Sequence, residues 1–110
     1  MATVTQKVLG QSKPSAATLT DAYTVPAATQ CTISTITVCN QSATPTSFRI
    51  QIAPGGAASA TSQYMYFDVA IGGNDTFACT FGITLGAGDV VRVYNGLASC
   101  SFGIYGVETS

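Results

Sequence analysis

Asp21, Asp68, Asp75, Asp89 and Glu108 are the only acidic side chains in a 110-residue sequence that contains no histidine. Two of them brought together in space could serve as the acid and base of a hydrolase, but nothing in their spacing selects a pair. Asp21, Asp75 and Asp89 stand beside predicted turns, where aspartate ordinarily accepts hydrogen bonds from the backbone. A nucleophilic Ser, Thr or Cys needs a neighbouring base, and without histidine that base would be Lys or a carboxylate. No G-x-x-x-x-G-K-[ST] or G-x-G-x-x-G segment is present to cradle phosphate. The glycine-rich stretch 82–88 sits among strand-forming residues and opens no helix. The repeated D-x-[DN] spacing of a calcium loop is also missing. The expectation is a non-enzymatic protein with no cofactor and no catalytic or metal-binding residues to name.

Four cysteines, Cys31, Cys39, Cys79 and Cys100, offer a disulfide framework by number alone. Cys31 and Cys39 fall in one predicted strand, where eight residues at ~3.3 Å each hold them roughly 26 Å apart. That exceeds the ~7 Å limit between the Cα atoms of a disulfide. Zinc is disfavoured, since there is no C-x-x-C knuckle and no histidine. Cys79 and Cys100 lie among Phe and Ile, as buried thiols do. Free core thiols are the favoured expectation, with one or two disulfides as the alternative.

Binding chemistry is better represented than catalytic chemistry. Tyr64, Tyr66, Tyr94 and Tyr105 fall at predicted outward positions, and tyrosine gives large contact area at small entropic cost. Packing against neighbouring strands is the competing use of the same rings. Only 8% of residues are charged against 46% hydrophobic, with a net charge of −1. Lys7, Lys13, Arg49 and Arg92 are too few and too scattered to neutralise nucleic-acid phosphates. No apolar run reaches the length of a membrane span, and residues 1–10 lack the continuous apolar run of a secretory signal. Folding in a reducing cytoplasm is therefore expected. A surface this poor in charge is a solubility risk unless it is covered in use.

The elements that would hold these residues are strands. Thr, Val, Ile, Tyr and Phe dominate every apolar run, and turn residues break the runs at about 8–12-residue intervals. No stretch keeps helical spacing. Residues 47–52 alternate with Phe48, Ile50 and Ile52 inward, and 76–81 with Phe77, Cys79 and Phe81 inward. Residues 64–71 place Met65, Phe67, Val69 and Ile71 on one face and Tyr64, Tyr66 and Asp68 on the other. Within 30–40 the inward parity switches between Ile33 and Ile36, which predicts a β-bulge or a strand buried on both faces. Residues 89–105 predict a hairpin, because Asn95-Gly96 is the preferred type I′ loop, with positive φ at both positions. That register sets Val93 opposite Ala98 and Val91 opposite Cys100, with Tyr94 and Tyr105 on one face.

Seven or eight short strands bury their faces most economically as an all-β, two-layer antiparallel sandwich, Ig-like or jelly-roll, in one domain over 1–110. Residues 1–17 form a possible N-terminal strand or arm, in which 10–17 either connects two edge strands or embraces a neighbouring subunit. The charge-free stretch 53–61 is a contact candidate or an ordinary loop. The candidate interface is Val4, Lys7, Pro14, Pro54, Tyr64, Tyr66, Tyr94 and Tyr105.

Several segments stand in a familiar order. Leu19-Thr20-Asp21-Ala22-Tyr23-Thr24-Val25-Pro26-Ala27 is followed by Ile36-Thr37-Val38-Cys39-Asn40. Leu85-Gly86-Ala87-Gly88-Asp89-Val90-Val91-Arg92-Val93 comes next, and Gly106-Val107-Glu108 closes the series. This order resembles small β-sandwich virion structural proteins of tailed bacteriophages, including those of cyanobacteria and marine bacteria. In that group a "LYTVPA" opening precedes a "VCN" strand, an "L-x-A-G-D-x-[VI]-x-V" element and a terminal "GVE"; here Ala22 departs from the apolar residue before the tyrosine. The resemblance spans residues 5–108 and implies a multi-copy, non-enzymatic virion component assembled in the host bacterial cytoplasm. The leading expectation is a capsid decoration (cement) protein that binds the major capsid protein as a homo-oligomer, a trimer being favoured. A tail, neck, baseplate or fibre accessory, or a host-glycan-binding module, is the alternative.

Overall fold

Alternating Thr, Val, Ile and Phe with turns of Gly, Asn, Asp and Pro resolve into eight strands among the described residues. They are β1 Val4–Ser12, β2 Thr20–Thr24, β3 Gln30–Asn40, β4 Thr46–Ala53, β5 Tyr64–Ile71, β6 Thr76–Leu85, β7 Val90–Asn95 and β8 Cys100–Thr109. The structure, a computed structural model, describes residues 3–110 except for the Phe81 side chain. The expected inward position of Phe81 therefore lies outside the described residues.

Two four-stranded antiparallel sheets face each other, sheet I in the order β1-β8-β3-β6 and sheet II in the order β2-β7-β4-β5. Strands pair as β1 with β8, β2 with β7, β3 with β6 and β4 with β5. That nesting of first with last is the jelly-roll arrangement, so the expected two-layer sandwich has jelly-roll order. The core lies between the layers. Ile33, Ile36, Val38, Phe102 and Ile104 of sheet I meet Phe48, Ile50, Val91 and Val93 of sheet II, all fully or almost fully buried. Cys31 and Cys100 are buried there, Cys39 and Cys79 are half-buried, and all four cysteines are free thiols.

The bulge expected in residues 30–40 is present, with the register of β3 shifting between Ile33 and Thr35 against both neighbours. Beside it, a Cβ at Gly106 would overlap the Thr32 carbonyl oxygen, so glycine lets β8 approach β3 closely there.

The hairpin expected over 89–105 is not formed. β7 pairs with β2 and β4, whereas β8 pairs with β1 and β3 in the other sheet. Val93 lies opposite Ile50 and Thr20 instead of Ala98, and Cys100 lies opposite Asn40 instead of Val91. Neither Asn95 nor Gly96 has positive φ, so no type I′ turn exists. The physical reason is the Asn95 side chain, which is fully buried. Its Oδ1 accepts from the Ser99 and Cys100 N–H groups, both at 3.1 Å, and its Nδ2 donates to Ser47 O at 2.9 Å. The amide thus anchors a corner at which the chain leaves sheet II for sheet I. Asn40 uses the same device at the end of β3, donating to Thr44 O at 2.9 Å and Gly72 O at 3.1 Å.

The simple alternation expected for 64–71 is also corrected. β5 shifts register twice against β4, between Phe48 and Ile50 and between Ile50 and Gln51. Each extra residue reverses the parity of the residues beyond it. Met65 and Tyr66 both pack on the core, while Phe67 and Asp68 both face out, Asp68 with φ +52°.

Candidate functional site

The two register shifts of β5 build a cluster on the outer face of sheet II. Arg49 points outward between inward Phe48 and Ile50. Its Nε donates to Asp68 Oδ1 at 2.6 Å and its Nη2 to Asp68 Oδ2 at 3.2 Å, a two-pronged pair. The guanidinium carbon lies 4.1 Å from the Phe67 ring centroid and 4.4 Å from that of Tyr94. Tyr64 meets Phe67 edge-on at 4.9 Å. Hydrogen bonding to Arg49 holds the Asp68 carboxyl below its ordinary pKa, and the same bond raises that of Arg49. Phe67 is 55% exposed. A large apolar ring held in one place by a stacked cation is preorganised for contact, since little freedom remains to be lost on binding.

Residues 54–63 are fastened beside this cluster. Gln51 is fully buried on the same strand, and its Nε2 donates to Ser59 Oγ at 2.9 Å. Asp89 accepts from the Gly55 and Gly86 N–H groups, both at 2.8 Å, and Arg92 donates to Gly56 O at 3.3 Å. The stretch expected as a contact loop is therefore pinned to the sheet at several points, and Pro54 is exposed on it. Asp89 and Asp75 serve the backbone as expected, Asp75 accepting from the Thr76 N–H at 2.8 Å. Asp21 does not. It sits within β2 and pairs with Arg92 at 3.0 Å.

A second cluster joins the two sheets at the open side of the sandwich. Tyr23 OH donates to Glu108 Oε2 at 2.6 Å, and Lys7 Nζ donates to Glu108 Oε1 at 3.1 Å. Burial, with the Glu108 hydrogen bond second, raises the Tyr23 phenol far above its ordinary pKa. The hydrogen bond from Tyr23, then that from Lys7, lowers the Glu108 carboxyl. A carboxyl lowered in the folded state stabilises the fold above its unfolded pKa of about 4.3, and that contribution disappears as pH falls through the folded pKa. Glu108→Gln is expected to lose about 1–2 kcal/mol at pH 7. Its difference from the parent in urea unfolding should shrink towards zero below about pH 4.

The expected interface residues do not form one patch. Tyr64 and Tyr94 meet through Arg49 on the outer face of sheet II. Tyr105 half-faces the opposite side of the molecule, lining a groove of about 380 Å³ with Gln11, Lys13, Thr37 and Ser101. The expectation that Tyr94 and Tyr105 share a face fails because β7 and β8 belong to different sheets. Tyr66 is corrected as well. The parity reversal turns it inward, 5.6 Å from Phe77 and 6.3 Å from Phe48. Its phenol is pushed up to about 12, by a hydrogen bond with Cys79 and then by burial. Pro14 is buried, because the β1–β2 connection closes over the Asn95 corner, where the Ala17 N–H donates to Asn95 O at 2.9 Å. Val4 is exposed on β1, and Lys7 is paired with Glu108.

Arg49, Phe67 and Asp68 were absent from the sequence-based interface. The outward position of Arg49 is visible in the alternation, but the partners that fix it come from β5 and β7. Fold and surface together define a small jelly-roll sandwich with a preorganised aromatic–arginine face. No protein-family model matches the chain, and no curated protein matches it.

Proposed function

We propose that the protein is a non-enzymatic virion structural protein, foremost a capsid decoration protein that binds and stabilises a tailed-phage head as an oligomer. The observation that carries this reading is the Arg49–Phe67–Tyr94 stack on an otherwise weakly charged sandwich. Arginine and large aromatics are the residues that dominate the energetics of protein–protein contacts. The jelly roll is a fold used by viral capsid domains, which supports the reading by analogy only. The ordered resemblance to phage virion proteins points the same way.

Arg49→Ala should weaken binding to tail-less heads by about 30-fold or more, as loss of a central contact does. Its place on the outer face, away from the core, should leave the unfolding midpoint little changed. Co-sedimentation with purified heads reads the first quantity and urea unfolding the second. The protein should fractionate with heads in high copy number. Scarcity in heads together with enrichment in purified tails would favour the tail or fibre reading.

The Tyr105 groove favours one second reading, a host-glycan-binding module. An aromatic ring beside amide, hydroxyl and ammonium groups suits a sugar. Retention on host polysaccharide that Tyr105→Ala abolishes would support it.

A further inference from the structure

β1 is an edge strand of sheet I, pairs among the described residues only with β8, and carries Val4 and Val8 at 65% and 51% exposure. The ladder decides which backbone groups face the free side. Thr3 N–H donates to Ser110 O at 2.6 Å and Ser110 N–H donates to Thr3 O at 2.9 Å, so these two residues form a hydrogen-bonded pair. Such pairs alternate along an antiparallel ladder. Thr5, opposite Glu108, and Lys7, opposite Gly106, therefore also aim their groups at β8. Val4, Gln6 and Val8 aim theirs away from the sheet. The two exposed valines are thus among the residues with outward N–H and C=O groups.

Free strand edges are usually guarded against pairing by shortness, bulges, charge or proline. β2 is five residues long and carries the Asp21–Arg92 pair. β5 has two register shifts and Asp68, and β6 has its own shift opposite Ser34. β1 is nine residues long with no proline, and its one shift lies beyond Val8. Its single charge, Lys7, is drawn to Glu108 at 3.1 Å.

We propose that β1 pairs antiparallel with β1 of a second copy of this chain, about a two-fold axis through Gln6. The stretch Val4-Thr5-Gln6-Lys7-Val8 is symmetric about its centre in the residues that matter. Gln6 falls opposite Gln6 of the second copy, and Val4 falls opposite Val8 of the second copy. The three facing pairs exchange two hydrogen bonds each and use every outward group of Val4, Gln6 and Val8. Valine then faces valine on the outer surface, and Lys7 faces Thr5, so no like charges stand directly opposite. The seam fuses the two copies of sheet I into one continuous sheet. A two-fold contact of this kind is isologous, so the assembling unit is a pair, in place of the three-fold arrangement expected from the resemblance. The seam deepens the oligomeric part of the proposed function and stands without the virion part.

The test is sedimentation of the purified full chain from micromolar to millimolar concentration, with and without Gln6→Pro. Proline at this position removes an outward N–H and no bond to β8. The parent should sediment as a two-chain species, with slow hydrogen exchange at the Val4, Gln6 and Val8 amides. Gln6→Pro should raise the dissociation constant by about 100-fold or more and speed exchange at the Val4 and Val8 amides, with little change in the unfolding midpoint. Should the proline variant fail to fold, Val4→Glu combined with Val8→Glu sets like charges across the seam, keeps every bond of sheet I, and should also give single chains. A parent that sediments as a single chain or a trimer, or a pair that survives these substitutions, would overturn the proposal. Absence of the protein from phage heads and tails alike would overturn the virion reading and leave the seam intact.

Discussion

Phe48→Ala is expected to lower the free energy of unfolding by about 3–5 kcal/mol, the loss typical of a large aromatic removed from a packed core. Phe48 is fully buried on β4 of sheet II. Its ring centroid stands 5.1 Å from Phe77 and 6.2 Å from Phe102, both from sheet I, and 6.3 Å from Tyr66. One side chain therefore ties the two layers together through three rings. The three rings come from three different strands, β5, β6 and β8, so no single strand can shift to fill the space that alanine leaves. A domain of this size has about 5–15 kcal/mol of stability in total, so the variant should be marginal at room temperature. Urea unfolding followed by intrinsic tyrosine fluorescence reads the difference. A loss under about 1 kcal/mol would show that the sheets are not held together at this point.

Asn95→Ala is expected to cost about 3 kcal/mol, because it strips partners from buried backbone groups of both sheets. Ser99 N–H and Cys100 N–H lose an acceptor, and Ser47 O loses a donor. Asn95→Gly is the more discriminating variant. In a type I′ hairpin, glycine replaces asparagine almost without cost, since both tolerate positive φ. At a corner between sheets, glycine removes the same side-chain hydrogen bonds as alanine and adds backbone entropy to the unfolded chain. It should therefore destabilise by at least as much. Equal stability of Asn95→Gly and the parent in urea would contradict the corner.

Asn95 also marks where sequence stops specifying structure. Strand positions are legible because alternation is local: 47–52 maps onto β4 and 64–71 onto β5, and the parity change between Ile33 and Ile36 marks the β3 bulge. Partner choice is not local. Asn-Gly suits a tight turn, yet here the asparagine amide is worth more inside, where it bonds the ends of β4 and β8. The β5 register shifts are hidden for a related reason. Tyr64 to Ile71 reads as clean alternation, and only pairing with β4 reveals the extra residues that turn Tyr66 in and Phe67 out. The candidate site inherits that gap. Tyr64 and Tyr94 are visible as outward tyrosines, but Arg49, which joins them, draws its partners from two other strands, β5 and β7, whose pairing with β4 the local pattern does not show.

The edge of β1 is a different case. Its exposed valines stand in the sequence, but their meaning depends on which backbone groups face away from β8, and only the pairing of Thr3 with Ser110 fixes that. The same strand is tied inward by the Lys7–Glu108–Tyr23 bonds. Those bonds hold its inner side to the sandwich and leave its outer side free.

The role proposed for this jelly roll is that of a many-copy building element of a phage particle. A reconstruction of the virion at a resolution that traces β-strands tests it most directly. The expected map shows the eight-stranded sandwich repeated in register over the head lattice, with the Arg49–Phe67–Tyr94 face against the shell. A virion in which every density is assigned to other chains, in head and tail alike, would contradict the claim.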